Sequence, residues 1–403
     1  MEWKEVDICQ LCDSVSETYK GNASEVVLIN TSDVLDGKCL NHEYVPNKKL
    51  KGQFKKTFRK GDILYSEIRP ANKRFCFVDF EPKDYIASTK LMVLRAHEDV
   101  DPQYLYQILR SNDTLAQLQM LAESRSGTFP QITYSELSNI MVSLPSQKAQ
   151  KNIVSILSSL DRKIELNNKI NADLEEMAQA IFKNWFVDFE PFKDGKFVDS
   201  ELGMIPEGWK VGRADDFYQI NIGKTPPRKE HKWFSTNPAN KIWVSIANMG
   251  NSGVFISDSS EYLTKEAVDS HNIIMVPRNT ILLSFKLTVG RVAIADKELT
   301  TNEAIARFIL SDDKYMEYLY LYLKNFDYNS LGSTSSIATA VNSKTIKGMQ
   351  MLQPSDKIID AFHIQVNPIF EKIRSLTKEN SRLSLLRDTL LPRLMSGELE
   401  VPE

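Results

Sequence analysis

The sequence predicts an α+β fold with an internal pseudo-two-fold duplication: two similar globular modules of mixed strands and helices, joined by two long antiparallel coiled-coil helices. Three observations predict this fold. Strings of the first half recur in the second half in the same order, each half ends in a long segment with a helical pattern, and the apolar residues of both segments are spaced for helix pairing.

The overall composition indicates an ordinary globular protein. The chain has 403 residues, of which 42% are hydrophobic and 26% are charged, and a chain of this length forms about two or three domains. No window holds about 18 consecutive apolar residues, as a membrane span requires. The first five residues carry acids and no apolar segment, so we expect no signal peptide and a cytoplasmic location.

The cysteines and histidines are too scattered to indicate a metal site. Cys9 and Cys12 have C-x2-C spacing, but no second pair follows at zinc-ribbon distance, and no histidines stand at H-x3-H or H-E-x-x-H spacing. We therefore expect no bound metal, and cysteines that are buried, reduced thiols.

The duplication is visible as five pairs of similar strings. Each match alone is weak, but their shared order makes chance an unsatisfactory explanation, and a period of about half the chain is too long for a solenoid. The pairs are 3–6 with 209–211, 28–34 with 243–249, 61–66 with 279–284, 103–109 with 317–323, and 140–146 with 349–355.

Within each module the pattern predicts both strands and helices. The apolar runs at 25–29 and 279–284 are typical of strands. The alternating tyrosines of 317–323 favour a strand, whereas Pro102 before the equivalent segment 103–109 favours the first turn of a helix. We interpret both of these segments as helices.

Residues 146–186 and 356–391 carry the heptad spacing of a coiled coil. Steps of three and four separate the seam residues, which are Ile153, Leu157, Leu160, Ile164, Asn167, Asn171, Leu174, Ala178, Ile181 and Trp185 in the first segment and Ile359, Phe362, Val366, Ile369, Ile373, Leu376, Asn380, Leu383, Arg387 and Leu390 in the second. Ordinary amphipathic helices of a bundle are the alternative, but two such segments at equivalent places favour an intramolecular spacer. About 40 helical residues span roughly 60 Å.

Asparagines near the centre of both seams indicate how the helices pair. A lone polar residue in a seam costs stability and sets register. We hypothesise an antiparallel pair in which Asn380 faces Asn167 or Asn171, so that Trp185 lies near Phe362, and Leu157 near Leu390. Replacing Asn380 with Leu should then raise the melting temperature and loosen the register. Pro368 predicts a kink or a late helix start.

These patterns divide the chain into six segments. They are an N-terminal module (1–145), a central spacer helix (146–189), a linker (190–208), a C-terminal module (209–354), a C-terminal spacer helix (355–396) and a tail (397–403).

Several strings resemble a known family. They are WFVDFEPF (185–192), ELGMIPEGWKV (201–211), GKTPP (223–227), IWVSIANM (242–249) and LRDTLLPRLMSGELEV (386–401). They resemble the specificity subunits of type I restriction-modification systems, and the resemblance covers essentially the whole chain. The first module lacks a string like GKTPP, so we do not expect the two modules to read the same bases.

The resemblance implies a non-catalytic, DNA-binding role. Each module would be a target-recognition domain for one half of a bipartite, asymmetric DNA site. The helix pair would set the gap and dock two modification (methyltransferase) subunits, and restriction (endonuclease and translocase) subunits would complete the complex. S-adenosylmethionine, ATP and magnesium would serve those partners, with no cofactor and no catalytic residue in this chain. The sequence also lacks an adenine-methylation motif and a phosphate-binding G-x4-G-K-[ST] loop.

Two alternatives remain open at this stage. A specificity protein with a cryptic methyltransferase or nuclease centre would modify or cut DNA alone. A helical-rod scaffold with tandem interaction modules would show no basic surface beside the repeated loops and no sequence-dependent DNA binding.

The net charge of −3 disfavours DNA only weakly, because cations cluster locally. Phosphate-contact candidates are Lys48, Lys49, Lys51, Lys55, Lys56, Arg59 and Lys60. Candidates in the polar loops are Ser66, Arg69, Asn72, Lys73, Arg74, Ser124, Arg125, Thr128 and Gln131 in the first module and Lys224, Thr225, Arg228, Ser284, Lys286, Arg291, Ser333 and Ser336 in the second. A solvated surface or a turn cap is the alternative for each.

The aromatic residues Trp185, Phe186 and Phe189 stand at the end of the central spacer helix. We interpret them as packing at the helix end or as part of the interface with a modification subunit, rather than as base-stacking side chains.

Overall fold

The computed structural model describes residues 3–48, 52–125, 129–331 and 341–401. The chain separates into two compact units. Unit 1 contains residues 1–164 and 382–403, and unit 2 contains residues 165–381. Each unit therefore holds one module together with a part of each long helix.

Unit 1 contains the first module. Its strands are β1 (Lys4–Asp7), β2 (Cys12–Val15), β3 (Glu25–Ile29), β4 (Val34–Leu35), β5 (Lys38–Cys39), β6 (Val45–Pro46), β7 (Phe54–Lys56), β8 (Ile63–Ser66), β9 (Phe75–Phe77), β10 (Tyr85–Ser88), β11 (Leu91–Ala96) and β12 (Met141–Leu144). Its helices are α1 (Pro102–Arg110), α2 (Asn112–Arg125), α3 (Tyr134–Ser138) and the first part of α4 (Gln147–Phe186).

Two four-stranded sheets build the first module, in the orders β2-β11-β8-β9 and β6-β3-β10-β7. Strand β8 alternates between two apolar environments, as side chains of a strand must. Leu64 packs in the cluster shared by the two sheets, whereas Ile63 and Tyr65 pack against the apolar residues of α1 and α2. Because both faces are covered, β8 is buried along its whole length.

Unit 2 contains the second module. Its strands are β13 (Phe197–Val198), β14 (Ile205–Pro206), β15 (Lys210–Arg213), β16 (Gln219–Ile222), β17 (Phe234–Ser235), β18 (Lys241–Val244), β19 (Phe255–Ile256), β20 (Tyr262–Leu263), β21 (Ile281–Ser284), β22 (Val292–Ala295), β23 (Thr300–Thr301), β24 (Ile305–Ile309) and β25 (Gln350–Gln353). Its helices are α5 (Ala214–Phe217), α6 (Ile246–Asn251), α7 (Lys265–Ser270), α8 (Met316–Asn325), α9 (Ser343–Lys347) and parts of α4 and α10 (Asp356–Met395).

The second module repeats the architecture of the first. Its larger sheet has the order β16-β24-β21-β22-β19, in which the first four strands correspond to β2-β11-β8-β9. Its smaller sheet pairs β18 with β23 in parallel, as β3 pairs with β10. The duplication predicted from the sequence is therefore confirmed at the level of strand order.

The first and last strands of each module pair with each other. Strand β1 runs antiparallel to β12, with Lys4 opposite Leu144, and β15 runs antiparallel to β25, with Lys210 opposite Gln353. In each module a long helix begins three residues after the last strand, at Gln147 or at Asp356. The strand pair therefore places the start of each long helix close to the first strand of its own module.

The tyrosine-rich segments 103–109 and 317–323 are helical, as predicted, within α1 and α8. Asp101 caps α1 by accepting hydrogen bonds from the backbone N–H groups of Gln103 and Tyr104 at 2.9 and 3.2 Å. The tyrosines alternate without forming a strand because α8 is buried on several faces, with Tyr318 and Tyr320 both 0% exposed.

The seam predicted for the two long helices is confirmed. In unit 2, Nδ2 of Asn167 donates to Oδ1 of Asn380 at 2.9 Å, and the ring centroids of Trp185 and Phe362 lie 5.7 Å apart. In unit 1, Leu157 lies in the same apolar cluster as Leu391 and Leu394 of α10. Leu390 is partly buried against that cluster. The helices are antiparallel in each unit, and Asn380 faces Asn167 rather than Asn171.

The prediction of a late helix start at Pro368 is wrong, because α10 begins at Asp356 and continues through the proline. Pro368 cannot donate to the carbonyl of Ile364 four residues earlier. Both residues are exposed, so water can reach that carbonyl. The expectation of buried cysteines is also wrong for Cys9, which is exposed.

Replacing Asn167 and Asn380 together by Leu should raise the melting temperature, because an apolar pair replaces a polar one in the seam. A gain of about 1 kcal/mol corresponds to roughly 2–4 °C. Replacing Asn380 alone should give a smaller gain, since the buried Asn167 amide loses an acceptor. Circular dichroism measures the melting, and cysteine cross-linking across the seam measures register. A double variant with unchanged melting and a single register contradicts this account.

Glu317 gives unit 2 a dependence of stability on pH. The carboxyl group is 0% exposed and lies 2.8 Å from Nδ1 of His363. Burial raises the pKa of Glu317 above its ordinary value of 4.5, and the contact with His363 offsets only part of this effect. The folded state therefore binds the proton more tightly than the unfolded chain. The free energy of unfolding falls as the pH rises from 4.5 through the raised pKa.

Glu317→Gln should stabilise the protein relative to the wild type at about pH 7, because the variant buries no charge there. The difference should shrink as the pH approaches about 4, where the wild-type carboxyl is protonated too. Urea unfolding across this range measures it. The control is Glu298→Gln, at an exposed position. A constant difference between Glu317→Gln and the wild type would exclude the proposed titration.

Candidate nucleic-acid interface

Two polar loops follow the equivalent strands β8 and β21, and each begins at a buried serine. The hydroxyl of Ser66 accepts from the N–H of Ile68 at 3.1 Å. The hydroxyl of Ser284 donates to the carbonyl of Thr288 at 2.6 Å and accepts from the N–H of Arg291 at 3.0 Å. Ser66 and Ser284 are 2% and 0% exposed. They therefore hold their own loops and do not face a ligand, which corrects the prediction for both residues.

Each loop ends at an arginine whose backbone closes the hairpin. The carbonyl of Arg74 accepts from the N–H of Ser66, and the carbonyl of Arg291 accepts from the N–H of Ser284. The guanidinium of Arg74 donates to the carbonyl of Ser32 at 3.0 Å, and that of Arg291 to the carbonyl of Ile246 at 2.8 Å. Each arginine braces its loop against a short helix, Thr31–Asp33 after β3 or α6 after β18, so both guanidinium groups have a structural role.

The tips of these loops are exposed. In the first module, Arg69, Asn72 and Lys73 are exposed, and Arg69 and Lys73 have positive φ angles of 45° and 51°. In the second module, Lys286 is exposed and is followed by Leu287, which is 90% exposed with φ 62°. Sequence reasoning missed Leu287, because only polar residues were considered as candidates.

In the first module the structure brings two predicted loops together. The N–H of Arg69 donates to the carbonyl of Pro130 at 3.1 Å, and the N–H of Ile132 donates to the carbonyl of Glu67 at 2.9 Å. Gln131 lies between these contacts and is half-buried. Arg69 and Gln131 therefore belong to one surface.

Ser124 and Arg125 are not in a loop, as the sequence had suggested, because they form the end of α2. The hydroxyl of Ser124 donates to the carbonyl of Leu121 at 2.8 Å. Arg125 forms an exposed ion pair with Glu136. Predicted candidates outside the described residues are Lys49, Lys51, Thr128, Ser333 and Ser336.

The described part of the basic run contains four exposed cations and one that is not exposed. The exposed residues are Lys48, Lys55, Arg59 and Lys60. Lys56 is half-buried, and its Nζ donates to the carbonyl of Leu91 at 2.8 Å. Burial lowers the pKa of Lys56. Because its ammonium group is held by the fold, Lys56 is poorly placed for a phosphate contact.

The loop 223–228 of the second module depends on a glycine for close packing. A Cβ on Gly223 would lie 1.9 Å from the carbonyl oxygen of Asn302, so no larger residue fits. Nζ of the exposed Lys224 donates to the carbonyl of His271 at 2.6 Å. The hydroxyl of Thr225 donates to the carboxylate of Glu303.

Arg228 has a packing role that the sequence did not reveal. Its guanidinium pairs with both carboxylate oxygens of Glu261, at 2.8 and 3.0 Å. It also lies over the rings of Phe234 and Trp243, 4.4 and 4.5 Å from their centroids. These contacts hold the guanidinium against the module, but the side chain is 51% exposed, so a DNA contact by Arg228 stays a prediction.

The sequence did not single out Glu303 as a candidate site residue. Its carboxylate lies close enough to Lys286 and Arg228 to be affected by their charges. Burial alone would raise the pKa of Glu303. The hydrogen bond from Thr225 and the charges of Lys286 and Arg228 outweigh that effect and lower the pKa. Glu303 therefore stays ionised at neutral pH, and a carboxylate at such a position can accept a hydrogen bond from a cytosine amino group.

The aromatic residues at the C-terminal end of α4 and just beyond it pack within unit 2. The ring of Phe186, 4% exposed, has its centroid 4.8 Å from those of Tyr318 and Phe362. Trp185 and Phe189 are half-buried and contact Phe362 and Trp209, respectively. Packing at the helix end is therefore the correct interpretation for Phe186, which has too little exposed surface to contact a partner.

Within the described residues, no helix is both long and apolar enough to span a membrane. In the same ranges, no three His, Cys, Asp or Glu side chains converge in a manner that could hold a metal ion.

Comparisons with known proteins give a consistent result. A family model described as the type I restriction modification DNA specificity domain matches residues 2–176 and 206–363. The chain is 34% identical to the type I restriction enzyme HindI specificity subunit of Haemophilus influenzae, over 99% of this chain and 100% of the relative. It is 29% identical to the MjaIX specificity subunit of Methanocaldococcus jannaschii, over 90% of this chain and 85% of the relative.

A solved structure supports the fold. The S subunit of a type I restriction-modification system from M. genitalium aligns with a TM-score of 0.55 and 14% identity, over 100% of this chain and 97% of that one.

Two adjacent lysines provide a matched test of the basic surface. Lys55→Ala should weaken binding to duplex DNA and reduce the slope of log affinity against log salt concentration by about 0.9, as expected for one lost phosphate contact. Lys56→Ala should leave the slope unchanged and lower the melting temperature, because Lys56 bonds to Leu91. Titrations by fluorescence anisotropy at several salt concentrations measure the slopes. Equal slopes for Lys55→Ala and the wild type would remove Lys55 from the interface.

Proposed function

We propose, from the premise that the chain belongs to the family of type I restriction-modification DNA specificity subunits, that it reads a bipartite and asymmetric DNA site. DNA target recognition is the role of this family, and its members are the non-catalytic component of the restriction system. Each module reads one half of the site, and the two halves differ in sequence.

The observation that carries this proposal is a shared scaffold with unlike loop tips. Strands β8 and β21 occupy equivalent places in the two sheets, and each is followed by a hairpin anchored by a buried serine and a bracing arginine. The exposed tips differ, with Arg69, Asn72 and Lys73 in one module and Lys286 and Leu287 in the other. Base-edge contacts specify sequence, so unlike tips on like scaffolds support two different half-sites.

The two long helices support a second part of the proposal, in which they set the gap between half-sites and dock two methyltransferase subunits. Each helix has 40 residues. Their surfaces carry exposed large apolar side chains, which are candidates for the contact with a methyltransferase subunit. The exposed residues are Ile156, Leu385 and Leu386 in unit 1 and Leu166, Met177 and Ile364 in unit 2.

The chemistry belongs to the partners in this proposal. Methyltransferase subunits would use S-adenosylmethionine to methylate adenine, and restriction subunits would use ATP and magnesium in the cytoplasm. This chain would supply DNA recognition and no cofactor site.

Methylation mapping tests the proposal directly. The chain is co-expressed with its methyltransferase subunit in a host that lacks adenine methylation, and methylated adenines are located across the genome. The expected motif has two short runs of specified bases separated by a gap of constant length. A continuous motif contradicts the bipartite proposal. Methylation without any motif contradicts sequence recognition by this chain.

Exchanging residues 1–145 for the equivalent domain of another specificity subunit should change one half of the motif and leave the other half and the gap unchanged. The incoming domain must keep the apolar surface that packs against Ile153 and Leu157, since these residues anchor the module to α4. The reciprocal exchange of residues 209–354 is the matched control and should change only the other half. A change in both halves after either exchange would refute the modular assignment.

A further inference from the structure

Leu287 stands out among the surface residues of the second module. It is 90% exposed, the largest exposed fraction among the large hydrophobic residues of the described ranges. Its φ of 62° places it in the left-handed region, which costs an ordinary L-residue roughly 1–2 kcal/mol. Neither burial nor backbone preference therefore explains a leucine at this position.

The loop that carries Leu287 is anchored at several points. The hydroxyl of Ser284 donates to the carbonyl of Thr288 at 2.6 Å. The N–H of Gly290 donates to the carbonyl of Ser284 at 3.0 Å, and Gly290 packs closely on the ring of Tyr328. Phe285, just before the tip, is 1% exposed. The tip is therefore held outward by its own loop, so Leu287 is presented to solvent in a defined conformation.

The first module repeats this backbone conformation at the equivalent position. Arg69 lies three residues after the buried Ser66, as Leu287 lies three residues after the buried Ser284. Arg69 is also exposed, with φ 45°. A strained conformation that occurs at the same place in both modules is a feature of functional loops. The side chains at the two positions are different in kind.

We propose that Leu287 contacts the bases of the half-site read by the second module. The proposal rests on the proposed function and names one specificity-determining residue within it. Lys286 beside the tip supplies a phosphate contact, and Leu287 packs against the apolar surface of the bases. That surface is either a thymine methyl group in the major groove or the face of a base pair at an opened step.

Leu287→Ala should weaken binding to the cognate duplex roughly tenfold, with no change in binding to a scrambled duplex and no change in the salt slope, because an apolar contact releases no counterions. Lys286→Ala is the matched control from the same loop. It should weaken binding to both duplexes and reduce the slope by about 0.9.

Leu287→Gly separates a binding role from a structural one. Glycine adopts positive φ without strain, so the variant should melt at or above the wild-type temperature. It should nevertheless bind the cognate duplex as weakly as Leu287→Ala. Unchanged affinity of both variants for the cognate duplex overturns the inference, even when the wild type discriminates cognate from scrambled DNA.

Two modified duplexes distinguish the sources of apolar contact. If Leu287 contacts a thymine methyl group, replacing that thymine with uracil weakens DNA binding by the wild type but not by Leu287→Ala. If Leu287 packs into an opened base-pair step, the fluorescence of 2-aminopurine placed in the duplex rises when the wild type binds but not when Leu287→Ala binds. If neither probe separates the two proteins, the inference is overturned. A wild-type protein that does not discriminate cognate from scrambled DNA overturns the proposed function itself.

Discussion

Pairing between the first and last strands of each module is the constraint on which the rest of each unit depends. Because β1 pairs with β12 and β15 pairs with β25, the chain leaves each module beside the point where it entered. Both long helices then start three residues later. A helix that begins at a fixed point on its module can be a structural support, whereas one that began at the end of a free loop could not hold a defined orientation.

Half-buried and buried polar contacts fasten each module to its own parts of the helices. In unit 1, Asp161 of α4 accepts from Arg110 at 2.9 Å and from Arg387 at 2.7 Å, which joins α1, α4 and α10. In unit 2, Arg374 of α10 lies 3.5 Å from Asp296, and both side chains are 3% exposed. Desolvation offsets much of the attraction in the buried Arg374–Asp296 pair, so its main effect is to specify one geometry rather than to add stability.

In the loops, the residues that hold the backbone are different from those that can contact bases. Serines and arginines at the ends of the hairpins after β8 and β21 bond to backbone within their module, and the tips face solvent. Tip side chains can therefore change without loss of the hairpin. The scaffold of one module thus accommodates Arg69 where the other has Leu287, which suits a protein whose two halves read unlike base sequences.

The sequence by itself determined the duplication, the two long helices and their heptad seams. Helices predicted at 146–186 and 356–391 are observed at 147–186 and 356–395, because heptad spacing is a local property of the chain. The sequence left Asn167 and Asn171 as alternative partners of Asn380, and the structure decided for Asn167. Only the tertiary structure decided which loop side chains face solvent. Residue type does not reveal whether a serine or arginine bonds to distant backbone, as Ser284 and Arg74 show. Nor does it reveal that an apolar residue such as Leu287 lies at a tip, because exposure depends on contacts between distant segments.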